Sequence, residues 1–485
     1  MSAPNFVFIM VDQMRGDCLG ADGNGYIDTP HLDCLASCGT RFNHAYSAVP
    51  SCIPARACLM TGQNQWNAGI LGMGWGQCHM PNDYPHTLAG EMSKAGYTTH
   101  MIGKGHFHPY HASMGFNSME LEESSRLQNQ GILDSYRSWF YAQVPSGVTF
   151  DDHGVGFNSW LARPWHQEER LHQTAWTATR AIDFLARHDK SKPFFLNVSF
   201  ARPHSPYVPP QCYWDRYIDA ELPEPVVGDW AAMHDDPTTA VDTDAWRGKM
   251  KDRDIRRARA GYFGEISFID SQIGRFISAF RRQYHEAFAN TWFIFTSDHG
   301  DMQGDHNLWR KTYAYEGSAR IPFLVVPPST AGKPACGVCD KVVELRDVMP
   351  TVLAAAGVEI PKTVDGQSVL PLLAGQDVDW RKYLHGEHCR CYHDHNEMHY
   401  VTDGRRKLIW FPRTGQEQFF DLEQDPGELR DLAADSSRKE DVALWRGYLT
   451  EELAARDCGW VKDGKPFCIE GEPLVSPYRD KRRVV

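Results

Sequence analysis

The chain has 485 residues, with 50 Lys and Arg against 62 Asp and Glu, for a formal net charge of −12. That length can bury a large core, and one big α/β domain with a smaller partner is the natural division. The negative field argues against a nucleic-acid or anionic-membrane binder, and no apolar run is long enough to span a bilayer; a small anionic substrate stays compatible, because a few cations in a pocket outweigh distant screened charge.

Met1-Ser2-Ala3-Pro4-Asn5 leads straight into a strand, with no basic stretch or cleavage-like site, and reads as the start of a cytoplasmic protein. The thirteen cysteines are scattered and odd in number, which fits reduced thiols better than a disulfide framework. Asn5 to Val11 is almost wholly apolar, the pattern of a central parallel strand buried on both faces, and it ends in Asp12-Gln13. Ligands bind at the carboxyl ends of such strands, so Asp12 is placed at a site, although a carboxylate capping the next turn is the common alternative. Thr29 to Phe42 holds a helix-like apolar pattern, with His31 read as structural.

Ser51 to Gly62 reads as a cysteine entering a helix. Pro54 suits a first turn, Ala55 to Met60 are mostly good helix formers, and Gly62 is a stop. Cys52 then sits where free backbone N–H groups favour an anion or thiolate, and Arg56 lies one turn along on the same face. A buried cysteine near a helix start fits the same residues. Thr98 to Ile102 reads as a strand, followed by Gly103-Lys104-Gly105-His106 with Lys104 and His106 on one side of an extended segment.

Residues 115–170, rich in Gly, Trp and Tyr, read as insertion loops over a pocket. Leu171 to Arg187 is helical in spacing, and Pro193 to Phe200 is another buried strand, running into Arg202-Pro203-His204. Residues 221–250 are acidic and loop-like, Arg259 to Phe280 carries the apolar spacing of a core helix, and Asn290 to Ser297 is a strand ending in Asp298-His299-Gly300-Asp301. Asp301, Asp305 and His306 read as loop residues near the site. Hairpin strands are expected at 400–403 and 407–410, and a closing helix at 435–456.

Cys52-Ile53-Pro54-Ala55-Arg56 followed by Leu59-Met60-Thr61-Gly62 resembles the signature of the type I sulfatases in the alkaline phosphatase superfamily. Gly103-Lys104-Gly105-His106, Arg202-Pro203-His204, Thr296-Ser297-Asp298-His299-Gly300-Asp301 and Lys311 to Pro322 resemble further segments of that family. The resemblance implies a nucleophile made from Cys52 by a maturation enzyme that oxidises it to formylglycine, with Arg56 holding it. It implies Lys104 and Lys311 as sulfate-binding lysines, His106 touching the formylglycine, and His204 serving the leaving group. It also implies a divalent cation on Asp12, Gln13, Asp298 and His299 with the position-52 group, calcium first and magnesium or manganese next. Gln13 departs from the commonest Asp-Asp pattern, and Gly105 replaces a usually bulky residue.

The fold implied is a large mixed, mainly parallel sheet flanked by helices over residues 1–376, with a small antiparallel sheet and helix over 377–485. The activity implied is hydrolysis of a sulfate ester of a carbohydrate or aryl alcohol. A phosphonate monoester or phosphodiester hydrolase using the same site is the alternative that Gln13 and His299 allow, and a non-catalytic binding protein is a third reading. Partners are the anionic sulfated substrate, a sugar by preference, and the maturation enzyme, with no nucleic acid or membrane; the oligomeric state stays open, a homo-oligomer included. Two clusters stand apart: Glu387 to His395 with His399, whose composition suits zinc, a polar loop, or substrate contacts; and Cys336-Gly337-Val338-Cys339, read as a surface loop.

Overall fold

Nearly continuous apolar runs become the middle of a sheet. The computed structural model describes residues 3–74, 77, 79–123, 131–236, 242–393, 396–456 and 458–479. Its main sheet has eight strands: β1 (Asn5–Asp12), β2 (Thr40–Phe42), β3 (Thr98–Gly103), β4 (Ser118–Leu121), β5 (Phe194–Pro203), β6 (Thr291–Ser297), β7 (Phe323–Val326) and β8 (Val338–Cys339), in the order β4-β3-β5-β1-β6-β7-β2-β8. Only β7 runs against its neighbours; β3, β5, β1 and β6 are parallel and adjacent.

Every residue of β1 is buried, as a central parallel strand requires. Its side chains alternate between two cores. Val7, Ile9 and Val11 face the core that holds Ile266, Ile269 and Ile273 of the long helix Asp252–Gln283. Phe6, Phe8 and Met10 face the core that holds Ala55 and Leu59 of the helix Cys52–Thr61. The long helix carries Asp252 and Asp254 in its first turn and Arg281 and Arg282 in its last, matching the backbone dipole.

The C-terminal part is a four-stranded antiparallel sheet, β9 (Leu384–His388), β10 (Met398–Thr402), β11 (Arg406–Trp410) and β12 (Glu417–Asp421), with the helix Lys439–Ala454 packed on it through Trp445, Leu449 and Leu453. Three expectations differ in detail. Cys336 to Cys339, expected as a surface loop, ends in strand β8, where Cys339 is buried. The segment expected to be insertion loops contributes the edge strand β4 and a helix, Ser135–Gln143. The Glu387–His399 stretch is not simply a loop, because Glu387 and His388 end β9 and His399 lies in β10; Asp394 and His395 lie outside the described residues. Among the described residues no helix is long and apolar enough to cross a membrane.

Candidate active site

Four neighbouring parallel strands end at one rim, and each delivers a polar residue there. β1 ends in Asp12, β3 is followed by Lys104, β5 by His204, and β6 by Asp298 and His299. At Gly103 a Cβ would lie 1.9 Å from the Ser199 carbonyl and φ is +95°, so only glycine lets β3 turn against β5 and aim Lys104 inward. The helix Cys52–Thr61 begins at this rim, all its residues except Ile53 are buried, and Gly62 closes it in the left-handed conformation.

Cys52 Sγ is 3.0 Å from Lys311 Nζ, 3.1 Å from His299 Nε2, 3.7 Å from Asp12 Oδ1 and 3.9 Å from Lys104 Nζ. Arg56 is fully engaged beneath it: Nε donates to Asp298 Oδ2 at 2.9 Å, Nη2 to Asp12 Oδ2 at 3.2 Å, and Nη1 to the Lys104 carbonyl at 2.6 Å and Ser199 Oγ at 3.1 Å. Lys104 Nζ pairs with Asp12 Oδ2 at 2.5 Å. Burial and the Asp12 carboxylate oppose ionisation of the Cys52 thiol, yet Lys104, Lys311 and His299 together outweigh them and its pKa is lowered. Burial likewise works against the Asp12 charge, but Lys104, His204, Lys311 and Arg56 hold its pKa well below the ordinary carboxylate range. The position-52 atom therefore sits where negative charge is favoured.

His299 Nδ1 hydrogen-bonds the Gly300 carbonyl at 2.8 Å, which fixes the tautomer and leaves Nε2 as the inward nitrogen. That nitrogen, the carboxylates of Asp12 and Asp298, and Cys52 Sγ present ligand atoms within 4.8 Å of one another, all buried. Two buried carboxylates, an imidazole nitrogen and a sulfur at this spacing form a group able to take a divalent cation. Gln13 lies beside this group, its backbone N–H donating to Asp298 Oδ1 at 3.1 Å. Its side-chain NH₂ donates to Asp301 Oδ2 at 2.5 Å, which turns Oε1 toward Lys311 Nζ at 3.0 Å. Asp301 is itself held by the Tyr207 hydroxyl at 2.6 Å.

His204 stacks on Phe157, with centroids 4.8 Å apart, and its Nδ1 hydrogen-bonds the Ser205 carbonyl at 2.8 Å. Burial, then Lys311 and Lys104, push its pKa well below the ordinary imidazole value. His106 follows Lys104 by two residues but does not share an extended face with it, because φ at His106 is +61° and Glu123 Oε1 holds the N–H groups of Gly105 and His106. Gln13, Arg310 and Thr312 also have positive φ, so non-glycine backbone strain gathers around this rim, as it does at functional sites.

The residues expected at positions 12, 13, 52, 56, 104, 204, 298, 299 and 311 thus lie together at one rim. Sequence reading missed their supports. No local pattern links Asp301 to Gln13, or Glu123 to Gly105 and His106. His388, one of the polar cluster that starts at Glu387, brings its Nε2 to 2.8 Å from the hydroxyl of Ser51, the residue before Cys52. Glu387 and His399 of that cluster belong to a buried network with His385 and Arg456. His385, Glu387 and His399 lie close enough to share a metal, but Arg456 and Gln65 already bond the Glu387 carboxylate, and His385 Nε2 meets His399 Nδ1 at 3.2 Å.

A family model described as Sulfatase matches residues 4–358, and one described as N-sulphoglucosamine sulphohydrolase, C-terminal, matches residues 304–454. The chain is 43% identical over 487 residues to an arylsulfatase of Clostridium perfringens (strain 13 / Type A), covering 98% of each chain. It is 31% identical over 445 residues to a choline-sulfatase of Rhizobium meliloti (strain 1021), covering 89% of this chain and 82% of that one. Among solved structures, a phosphonate monoester hydrolase from Silicibacter pomeroyi matches with a TM-score of 0.75 at 26% identity, over 94% of this chain and 96% of that one. The fold, the converging rim and these likenesses agree: the chain belongs to the sulfatase family, enzymes of sulfate ester hydrolysis built on the alkaline phosphatase-like sheet.

Proposed function

We propose that the chain hydrolyses sulfate monoesters of sugars or phenols at position 52, with Cys52 converted to formylglycine by a maturation enzyme. A divalent cation, calcium first, would be held by Asp12, Gln13, Asp298 and His299 with the position-52 group. The observation that carries this reading is the buried position-52 atom set against Lys311, His299 and Lys104 with carboxylates behind them. The oxygen-rich donor set suits calcium better than a transition metal. The cation supplies positive charge for the sulfonate oxygens and favours a deprotonated nucleophile. Formylglycine supplies, in hydrated form, one hydroxyl for attack on sulfur and a second whose deprotonation lets sulfate depart, which a serine lacks.

The chain's own residues do the rest. Arg56 spans Asp12 and Asp298, keeping both carboxylates in place while its own charge helps hold the nucleophile. Lys104 and Lys311 flank position 52 and neutralise sulfonate oxygens as charge develops. His204 hands a proton to the departing alcohol oxygen, with Lys311 beside it, and His106 takes the proton from the second hydroxyl. The stacked rings of Trp246 and Tyr392, with Tyr313 beside them, provide flat surfaces suited to a sugar or aryl group.

A second reading, a phosphonate monoester or phosphodiester hydrolase, is favoured by one feature, the neutral Gln13 in place of a carboxylate. Parallel kcat/KM measurements on 4-nitrophenyl sulfate, an aryl phosphonate monoester and an aryl phosphodiester decide between them. We expect the sulfate to be turned over best, and a larger value on the phosphonate would overturn the choice. A peptide mass spectrum across residue 52 should carry the aldehyde or its hydrate, and unchanged turnover by Cys52→Ala would refute the nucleophile.

A further inference from the structure

Lys311 is flanked by two residues in the left-handed region, Arg310 with φ +66° and Thr312 with φ +82°. The irregular stretch around them is pinned by its backbone: Arg310 N–H donates to Asp301 Oδ1 at 3.0 Å, its carbonyl accepts from Met302 N–H at 2.7 Å, and Thr312 N–H donates to the Pro50 carbonyl at 2.9 Å. This strain sends the side chains of 310 and 311 in directions set by the site rather than by regular structure. Lys311 reaches Cys52. Arg310 lays its guanidinium over the ring of Tyr392, 5.6 Å from its centroid.

Arg310 is partly buried, and its guanidinium has no carboxylate partner among the described residues. Arg15, Arg56 and Arg259 each donate to a carboxylate. The Nε and Nη2 groups of Arg310 are buried and have no hydrogen-bond acceptor among the described residues. Arginine cannot shed its proton to relieve this, and five donors in a planar fork are shaped for a carboxylate or sulfo group. Arg310 is the chain neighbour of Lys311, whose Nζ is 3.0 Å from Cys52 Sγ, so its guanidinium over Tyr392 stands beside the proposed nucleophile's surroundings, and the Cys391 thiol feels Arg310, Lys311 and Cys52 together.

We infer that Arg310 is a second anion-recognition group, taking a carboxylate or a second sulfo group on the molecule whose sulfate ester lies at position 52. The preferred substrates are then dianionic sulfate esters. This rests on the sulfatase reading above and narrows its substrate class.

The test uses sulfonates, which are not hydrolysed, so binding is read without turnover. Calorimetric Kd values for benzenesulfonate, 3-sulfobenzoate and benzene-1,3-disulfonate are compared at physiological salt for the parent enzyme, Arg310→Met and Arg310→Lys, each checked for an unchanged melting curve. The parent should bind at least one dianion about tenfold or more tightly than the monoanion. Arg310→Met should erase that gap and Arg310→Lys should keep part of it; the dianion with the wider gap names carboxylate or sulfo group as the source. Equal parental Kd values for all three ligands, no binding by either dianion, or a gap that survives Arg310→Met would each overturn the inference. Phenyl sulfate turnover by the same parent preparation is measured separately: its absence alongside an intact gap would refute the sulfatase reading and leave the anion site standing.

Discussion

Asp301 gives the sharpest test of how the site tolerates a glutamine where a second carboxylate is usual. Its Oδ1 accepts from the N–H groups of Gln303 and Arg310, both at 3.0 Å, and its Oδ2 accepts from Gln13 Nε2 at 2.5 Å and the Tyr207 hydroxyl at 2.6 Å. Asp301→Asn keeps the shape but turns one oxygen into a donor. The two backbone N–H groups hold the remaining oxygen on their side, so the new NH₂ confronts the NH₂ of Gln13. The Gln13 amide must then turn over, pointing a donor at Lys311 and at the proposed cation. Losing a hydrogen bond to a charged group costs about 1.5–3 kcal/mol. That corresponds to roughly 10–100-fold in cation affinity, the usual effect of removing a partner that orients a ligand. Calcium Kd by competition with a chromophoric chelator, with kcat/KM on 4-nitrophenyl sulfate, reads the effect. The double change Gln13→Glu with Asp301→Asn restores donor to acceptor and should recover part of the affinity. An Asp301→Asn protein with the parental calcium Kd would show that Asp301 does not set the Gln13 amide.

His204→Asn should cost little on 4-nitrophenyl sulfate, whose leaving group needs no proton, and about 10²–10⁴-fold on an alkyl sulfate; equal losses on both esters would remove His204 from the leaving-group step. Lys407 is wholly buried and its Nζ bonds Glu316 at 2.7 Å, Glu428 at 2.8 Å and the Ala314 carbonyl at 2.8 Å. Lys407→Met leaves two carboxylates facing each other and should lower unfolding free energy by about 3–5 kcal/mol in urea titrations; a loss under about 1 kcal/mol would contradict this pairing. Asp270 holds the N–H groups of His31 and Leu32 at the start of the helix Pro30–Cys38, and burial lifts its pKa to about 7. A raised carboxyl pKa means the folded chain keeps a proton that the unfolded chain has released. Its contribution is therefore full below the unfolded pKa, near 4, and is lost as pH rises through about 7. Asp270→Asn should flatten that part of the stability curve, by up to about 4 kcal/mol across the window; Tm against pH with the same slope in both proteins would rule this out.

The centre of the fold was readable because its strands are buried on both faces. The runs at 5–11, 193–200 and 290–297 are mainly apolar and buried, with Asn197 and Ser199 the polar residues inside the second, and each gives way to charged or polar residues where the sheet ends, so the site announces itself one strand at a time. The edge strand Ser118–Leu121 is half-exposed and has no such contrast, which is why it passed for loop. The supports were hidden for another reason. Gln13 meets Asp301 across 288 positions and Ser51 meets His388 across 337, and no local pattern links residues so far apart. Gln13 could be seen as a departure from a pattern, but its compensation belonged to a residue that only folding brings near. The overall charge misleads in the same way. The chain carries −12, yet around Cys52 the guanidinium of Arg56 and the ammonium groups of Lys104 and Lys311 stand against the two carboxylates of Asp12 and Asp298. Surface charges fade beyond about 8–10 Å of salt solution, while these groups act through a buried interior. The sign that an arriving anion meets at the rim is therefore decided by five side chains, gathered from strand ends, one helix start and the loop that carries Lys311, and not by the sum over the chain.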